Sequence, residues 1–192
     1  MPKQVDRRVR KTKQQLRTGL AHLMQEKSIQ KITVRELVNE VDINRSTFYL
    51  HYTDIQALMD EIKTELLEDI TSAIQQDNLG PIENAFPFIT DIFMILEKNK
   101  EICKALVGPH GDLDFVYDIE EILAEYSIPA LQKMMPLDSQ DLLYCTSFIL
   151  SGCVGLIKIW LMEDKDDSPL HMAQLTYQMV INVIHSFQTE NE

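Results

Sequence analysis

The sequence predicts an all-α protein: a three-helix N-terminal head built on a helix-turn-helix, followed by a larger helical bundle, about nine helices in all. Three observations carry this. Apolar stripes at helical spacing recur along the 192 residues, and no stretch sustains an alternation of period two. Few of the Gly and Pro residues interrupt those stripes. Residues 32–59, ITVRELVNEVDINRSTFYLHYTDIQALM, read as a short helix, a tight turn, a second short helix dense in hydroxyls and rings, and the start of a long helix.

The first helix is expected over Arg7–Glu26, with Val9, Leu16, Leu20, Leu23 and Met24 on one face. Thr33-Val34-Arg35-Glu36 is a capping box that opens the second helix. Asn44 caps a third, very short helix reaching to about His51. Thr53-Asp54-Ile55-Gln56 reads as another capping box. It opens a helix striped by Ile55, Leu58, Met59, Ile62, Leu66, Ile70 and Ile74.

Gly80-Pro81 is a break. A helix is expected from Glu83 to Lys98, bent near Pro87, then a short one over Glu101–Val107. Gly108-Pro109-His110-Gly111 is a loop. The next helix carries Phe115, Ile119, Ile122, Leu123 and Tyr126, with Pro129 disturbing it. After Pro136 comes a nearly uncharged helix, then a loop over 163–167. Ser168-Pro169 starts the last helix as cap and first-turn proline, with Met172, Leu175, Met179, Val180, Val183, Ile184 and Phe187 as its stripe.

Charge is divided unevenly. Residues 1–55 hold 11 basic and 6 acidic side chains, and residues 56–192 hold 7 and 24, within a net charge of −12. A basic end on an acidic body can still meet a polyanion with the body turned away. The alternative is that Arg7, Arg8, Arg10, Lys11 and Lys13 only keep a helix soluble. Cys103, Cys145 and Cys153 are odd in number and lack C-x-x-C spacing, which argues against a disulfide framework or a zinc site and fits a reducing cytoplasm. The charged stretch Lys3–Arg17 does not suit a signal peptide. Residues 142–162 are long enough for a membrane span and carry one charge, Lys158. Their polar Tyr144, Thr146, Ser147 and Ser151 and the acidic flanks favour a soluble helix with one face on its own core and the other on a partner subunit.

The third helix is rich in groups that read nucleic acid. Arg45 at its start can fork onto guanine O6 and N7. Ser46 and Thr47 offer hydroxyls to bases or phosphates, and Tyr49 and His51 can donate to phosphate oxygens. Thr33 and Arg35 lie where the second helix would cross the DNA backbone. Phe48 points inward, onto Leu37, Val38, Val41, Ile43, Tyr52 and Leu58.

This segment resembles the head of the TetR family of bacterial transcriptional regulators, whose pattern runs roughly T-x-[RE]-x-[LI]-[AV]-x-x-x-[GD]-[VI]-x-x-x-T-[FL]-Y-x-[HY]-[FY]. Here it is carried by Thr33, Arg35, Leu37, Val38, Asp42, Ile43, Thr47, Phe48, Tyr49, His51 and Tyr52. The resemblance covers residues 8–75. It implies a helix-turn-helix domain over 1–53, a helical effector-binding and dimerisation domain over 54–192, and a homodimer. It also implies that Thr33, Arg35, Arg45, Ser46, Thr47, Tyr49 and His51 face DNA, with Asn44 beside them. Two positions depart from the pattern. Asp42 stands where the turn usually holds Gly, at some conformational cost. Ile55 stands where the family usually has a phosphate-contacting Lys.

For the body, Phe148–Trp160 resembles a G-x-x-G-[LI]-[IL]-x-x-W pattern in a TetR-like subgroup, some of it described as regulating sugar-kinase-type operons. A ligand pocket is implied by the family, with Phe88, Ile92, Phe93, Phe115, Tyr126, Tyr144 and Phe148 as candidate walls. Ser147, Ser151 and Gly155, spaced by four, form a strip of small residues that lets another helix approach closely. With Met172, Met179 and Val183 of the last helix, two copies would form a four-helix bundle. The same strip could instead accommodate a neighbour in its own chain.

Catalysis is not expected. The five His are scattered, and no P-loop, G-x-G-x-x-G or nucleophile motif occurs. The expectation is therefore a cytoplasmic, homodimeric regulator without metal or cofactor, bound to a double-stranded DNA operator. It would be a repressor released by an unknown small-molecule effector or a partner protein. The alternative is an adaptor or coactivator of the same fold that reads DNA weakly.

Overall fold

The computed structural model describes residues 7–76, 85–135, 137–163 and 167–187, and the described chain is helical with no strand. The helices are α1 (Arg7–Glu26), α2 (Val34–Glu40), α3 (Arg45–Tyr49), α4 (Ile55–Gln76), α5 (Ala85–Lys98), α6 (Lys100–Val107), α7 (Leu113–Met134), α8 (Ser139–Met162) and α9 (Pro169–Ser186). A 3₁₀ turn over Ile29–Lys31, not foreseen in the sequence, joins α1 to α2. The expected break at Gly80-Pro81, the helix start at Glu83 and Pro136 lie outside the described residues.

Local chemistry explains most helix ends. Thr33 and Glu36 form the expected reciprocal box: the Glu36 N–H donates to Thr33 Oγ1, and the Thr33 N–H donates to Glu36 Oε2. Asn44 Oδ1 accepts from the Ser46 N–H at 2.9 Å. Asp138 and Ser168 cap α8 and α9. The box expected at Thr53 is different. Asp54 is the cap, accepting from the Ala57 N–H at 2.8 Å, while Gln56 turns to Asp60. Asp54 directly precedes the first helical residue, so its carboxylate is the one within reach of that N–H.

Two prolines lie within continuous helices. Pro87 is the third residue of α5, in the first turn, where its missing N–H has no intrahelical partner to lose. Helix α7 runs through Pro129, which deprives only the Glu125 carbonyl of its donor.

The chain forms two compact units. One runs to Glu65 and takes in Glu101–Leu113; the other holds Leu66–Lys100 and the chain from Asp114 onward. The boundary expected at residues 53 and 54 lies at the start of α4, whereas the first unit keeps the first half of that helix and adds α6.

The head unit closes around Leu16, Leu20, Met24, Leu37, Phe48, Leu58, Met59 and Ile62, all buried. Gly19 lets α1 and α2 touch: a Cβ there would lie 2.3 Å from Val41 Cγ1. Gly111 is required by a second close approach, since a Cβ would meet the Leu106 carbonyl oxygen at 2.0 Å. The turn it forms is held by the Asp112 N–H, which donates to that same oxygen at 2.9 Å, and by the Lys63–Asp112 ion pair at 2.8 Å.

In the body unit, α5 packs along α9, with Phe86 edge-on to Tyr177. Leu131, Met135, Leu142, Ile149 and Ile184 form a core between α7, α8 and α9. Trp160 anchors the end of α8. Its ring stands edge-on to Phe93 at 5.2 Å, and its indole N–H donates to the Asp167 carbonyl at 2.9 Å.

Candidate nucleic-acid interface

Helix α3 has only five residues, so it owes its position to its neighbours rather than to its own length. Phe48 fixes it from beneath. That ring is fully buried, edge-on to Tyr49 at 5.5 Å and tilted against Tyr52 at 5.8 Å. The α2–α3 turn depends on Asp42, which takes the left-handed conformation with φ of 50°. The turn thus survives without glycine, because Asp tolerates this region better than most residues.

With Phe48 inward, helical geometry turns Arg45, Ser46 and Tyr49 outward together, and all three are exposed. Thr47 and His51 are half-buried at the edges of this face. Leu50, 80% exposed beside Tyr49 at 48%, is part of the same face and was absent from the expected set. Its place one residue after Tyr49 was legible, but an apolar side chain offers no hydrogen-bonding group that would single it out. A thymine methyl is a suitable apolar partner for it.

The second-helix residues divide. Arg35 is exposed. Thr33 is committed to its cap: both its N–H and its hydroxyl donate to Glu36 Oε2, at 2.9 and 2.8 Å. Asn44 is likewise engaged through Oδ1 by the Ser46 N–H and hydroxyl. Lys27 pairs with Glu36 at 2.6 Å. The Lys27 hydrogen bond, followed by those from Thr33, lowers the Glu36 pKa to about 2.

The basic first helix is partly spent inside the unit. Lys13 pairs with Glu61 and Arg17 with Glu65, each at 2.8 Å. Tyr52 donates to the other oxygen of Glu61 at 2.6 Å, and Lys13 lies 5.5 Å from the Tyr52 ring centroid. Burial opposes ionisation of Glu61, but the hydrogen bonds from Lys13 and Tyr52 outweigh it and hold its carboxyl below the usual range. Burial, then Glu61, raises the Tyr52 phenol well above its ordinary value. Arg7, Arg10 and Lys11 remain exposed farther up α1. Ile55 is buried, so it offers nothing to a phosphate.

The body contains a cavity of about 140 Å³. Phe88, Ile92, Phe93 and Tyr126, four of the expected walls, line it. Phe115 is buried but not among the lining residues, and Tyr144 and Phe148 are exposed, at 63% and 69%. The face of α8 that meets the cavity is Thr146, Ile149, Leu150, Cys153 and Ile157. Positions 144 and 148 lie two residues from Thr146, roughly 200° around the helix. Burial pushes the Cys153 thiol up to about 11. Of the expected interface residues, Ser147, Ser151, Gly155 and Met179 are exposed. Met172 is buried in its own unit, and Val183 packs against its own core. Both are therefore taken up by packing within their own unit.

A model described as bacterial regulatory proteins of the tetR family matches residues 18–62. One described as a transcriptional regulator C-terminal region matches residues 83–182, more than half of the chain. The chain belongs to the TetR family. It is accordingly a DNA-binding transcriptional regulator of a family whose members are soluble and act as dimers.

Solved structures share the TetR fold over most of the chain. A TetR transcriptional regulator from Streptococcus agalactiae 2603V is 22% identical, covers 91% of this chain and 96% of its own, and gives a TM-score of 0.59. The fatty acid degradation regulator FadR from Bacillus halodurans is 13% identical over 88% and 94%, with a TM-score of 0.65. The dihydroxyacetone kinase operon activator DhaS is 13% identical over 92% and 97%, with a TM-score of 0.60. No curated protein matches the chain.

Proposed function

We propose that this TetR-family protein is a cytoplasmic homodimer that represses from a near-palindromic operator and is released by a small effector. The observation that carries the reading is the outward face of α3, where Arg45, Ser46 and Tyr49 stand together above a buried Phe48. A dimer would set two such faces into successive major grooves, about 34–36 Å apart.

The dimer reading is supported by α8. By length and composition this helix could cross a membrane, yet only five of its 24 residues are buried: Leu142, Thr146, Ile149, Trp160 and Leu161. Its other side exposes Leu143, Tyr144, Phe148 and Ile159 around Ser147, Ser151, Gly152 and Gly155. An apolar face with small residues along its middle suits a second helix of the same kind. The effector reading is supported by the body cavity. An effector there acts only by binding one state of the dimer more tightly than the other.

The test is selection of bound fragments from random DNA at two salt concentrations. Recovery of a near-palindrome with steep salt dependence, lost in an Arg45→Ala/Tyr49→Ala variant that stays dimeric, is the expected result. No enrichment at either salt would favour an adaptor of the same fold.

A further inference from the structure

We propose that the body cavity takes a small, uncharged, mainly apolar molecule bearing one hydroxyl or carbonyl group, and that Ser127 recognises that group. The regulatory meaning of such binding rests on the effector reading above; the binding itself does not.

Size sets the first limit. The cavity, about 140 Å³, is close to the ~150 Å³ of an apolar cavity that holds benzene. A single ring, or a chain of about six to eight heavy atoms, fits such a space. Charge sets the second. None of the described lining residues is Asp, Glu, Lys, Arg or His. The Cys153 thiol stays protonated at neutral pH. A carboxylate or ammonium would therefore lose its hydration with no opposite charge to meet.

The third limit is the polar inventory. Most of the wall is aliphatic or aromatic, and its hydroxyls are nearly all engaged. Thr146 and Thr176 donate to the carbonyls of Leu142 and Met172, each at 2.8 Å. The Tyr126 hydroxyl accepts from Gln75 Nε2 at 3.1 Å. Ser127 Oγ differs. The residue is part of the lining, and among the described residues its Oγ is the one buried side-chain oxygen or nitrogen without a hydrogen-bond partner. A buried hydroxyl left unpaired carries its desolvation cost uncompensated. A ligand hydroxyl or carbonyl would satisfy it, while the ring or chain fills the apolar remainder.

Three probes of one shape separate the terms: toluene, benzyl alcohol and benzoate. Calorimetry on the full chain is expected to show binding of the first two and none of benzoate. Ser127→Ala should weaken benzyl alcohol about fivefold, the effect of one hydrogen bond, and leave toluene unchanged or tighter. Leu150→Phe, which fills the cavity, should abolish binding of both without unfolding the body by circular dichroism. Benzoate binding as well as benzyl alcohol, no binding of any probe, or a Ser127→Ala variant that keeps its full affinity for benzyl alcohol would overturn the proposal. Operator affinity is read separately at saturating benzyl alcohol. A fall links the site to regulation. Binding with unchanged operator affinity supports the site and removes the effector reading instead.

Discussion

Arg45 Nη2 donates a hydrogen bond to the phenolic oxygen of Tyr49 at 3.0 Å, and the Arg45 guanidinium lies 5.4 Å from the Tyr49 ring centroid. The two residues sit one helical turn apart on the exposed face of α3. Tyr49 therefore restrains the Arg45 side chain before DNA arrives, so less rotamer freedom remains to be lost on binding.

Arg45→Ala should cost about 1–3 kcal/mol of operator affinity and relax selectivity at one base pair. Tyr49→Phe keeps the ring and removes the hydroxyl, so its effect should be smaller. Because the two share a contact, the double variant Arg45→Ala/Tyr49→Phe should lose less than the sum of the singles. Additive losses in fluorescence anisotropy would show that Tyr49 acts on DNA independently of Arg45.

Cations within the head unit should differ in their effect on salt dependence. Lys13 is neutralised by Glu61, whereas Arg35 is exposed at the start of α2. Arg35→Ala should reduce the slope of log affinity against log salt by about 1, while Lys13→Ala should leave it nearly unchanged. Titration at four salt concentrations decides this. A slope change for Lys13→Ala equal to that for Arg35→Ala would mean that the Glu61 pair opens on DNA.

Gly152 and Gly155 test the apolar face of α8. A Cβ at either would meet nothing within 4 Å inside the protomer. For an isolated protomer, Gly→Ala should stabilise the helix by about 0.5–1 kcal/mol per site. If this face seats a second copy, the same substitutions should weaken the dimer about fivefold or more through overpacking, typically about 1–3 kcal/mol. Sedimentation equilibrium reads the dimer, and an unchanged constant would place the interface elsewhere.

Glu36 links head stability to acid. Its folded pKa, about 2, lies below the ordinary 4.5 because Lys27 and Thr33 hydrogen-bond the carboxylate. The unfolded chain thus takes up the proton first as pH falls. The contribution is fully present above about pH 4.5 and is lost as pH drops towards 2. Glu36→Gln should flatten the stability profile between those limits and leave its shape near neutrality intact. A wild-type profile already flat between pH 4.5 and 2 would remove Glu36 as an acid-sensitive element.

What the sequence determined by itself was local. The cap residues Thr33, Asn44 and Ser168, the left-handed Asp42, and the inward Phe48 beneath an outward Arg45 and Tyr49 all follow from chemistry within a few residues. The tertiary structure decided pairings across the chain. Glu61 and Glu65, 48 residues away, take up Lys13 and Arg17 of the basic first helix as structural ions. Gly19 and Gly111 are needed only because another segment presses against them. On α8 the limit is one of periodicity. A spacing of 3.6 says which residues share a face, but a helix apolar all round does not say which face meets its own core. Packing against α7 and α9 settled that, turning Thr146 and Ile149 inward, leaving Tyr144 and Phe148 outside, and burying Met172 where the stripe alone allowed a partner. The unpaired hydroxyl of Ser127 arises in the same way, because a hydrogen-bond deficit exists only once the surrounding atoms are in place.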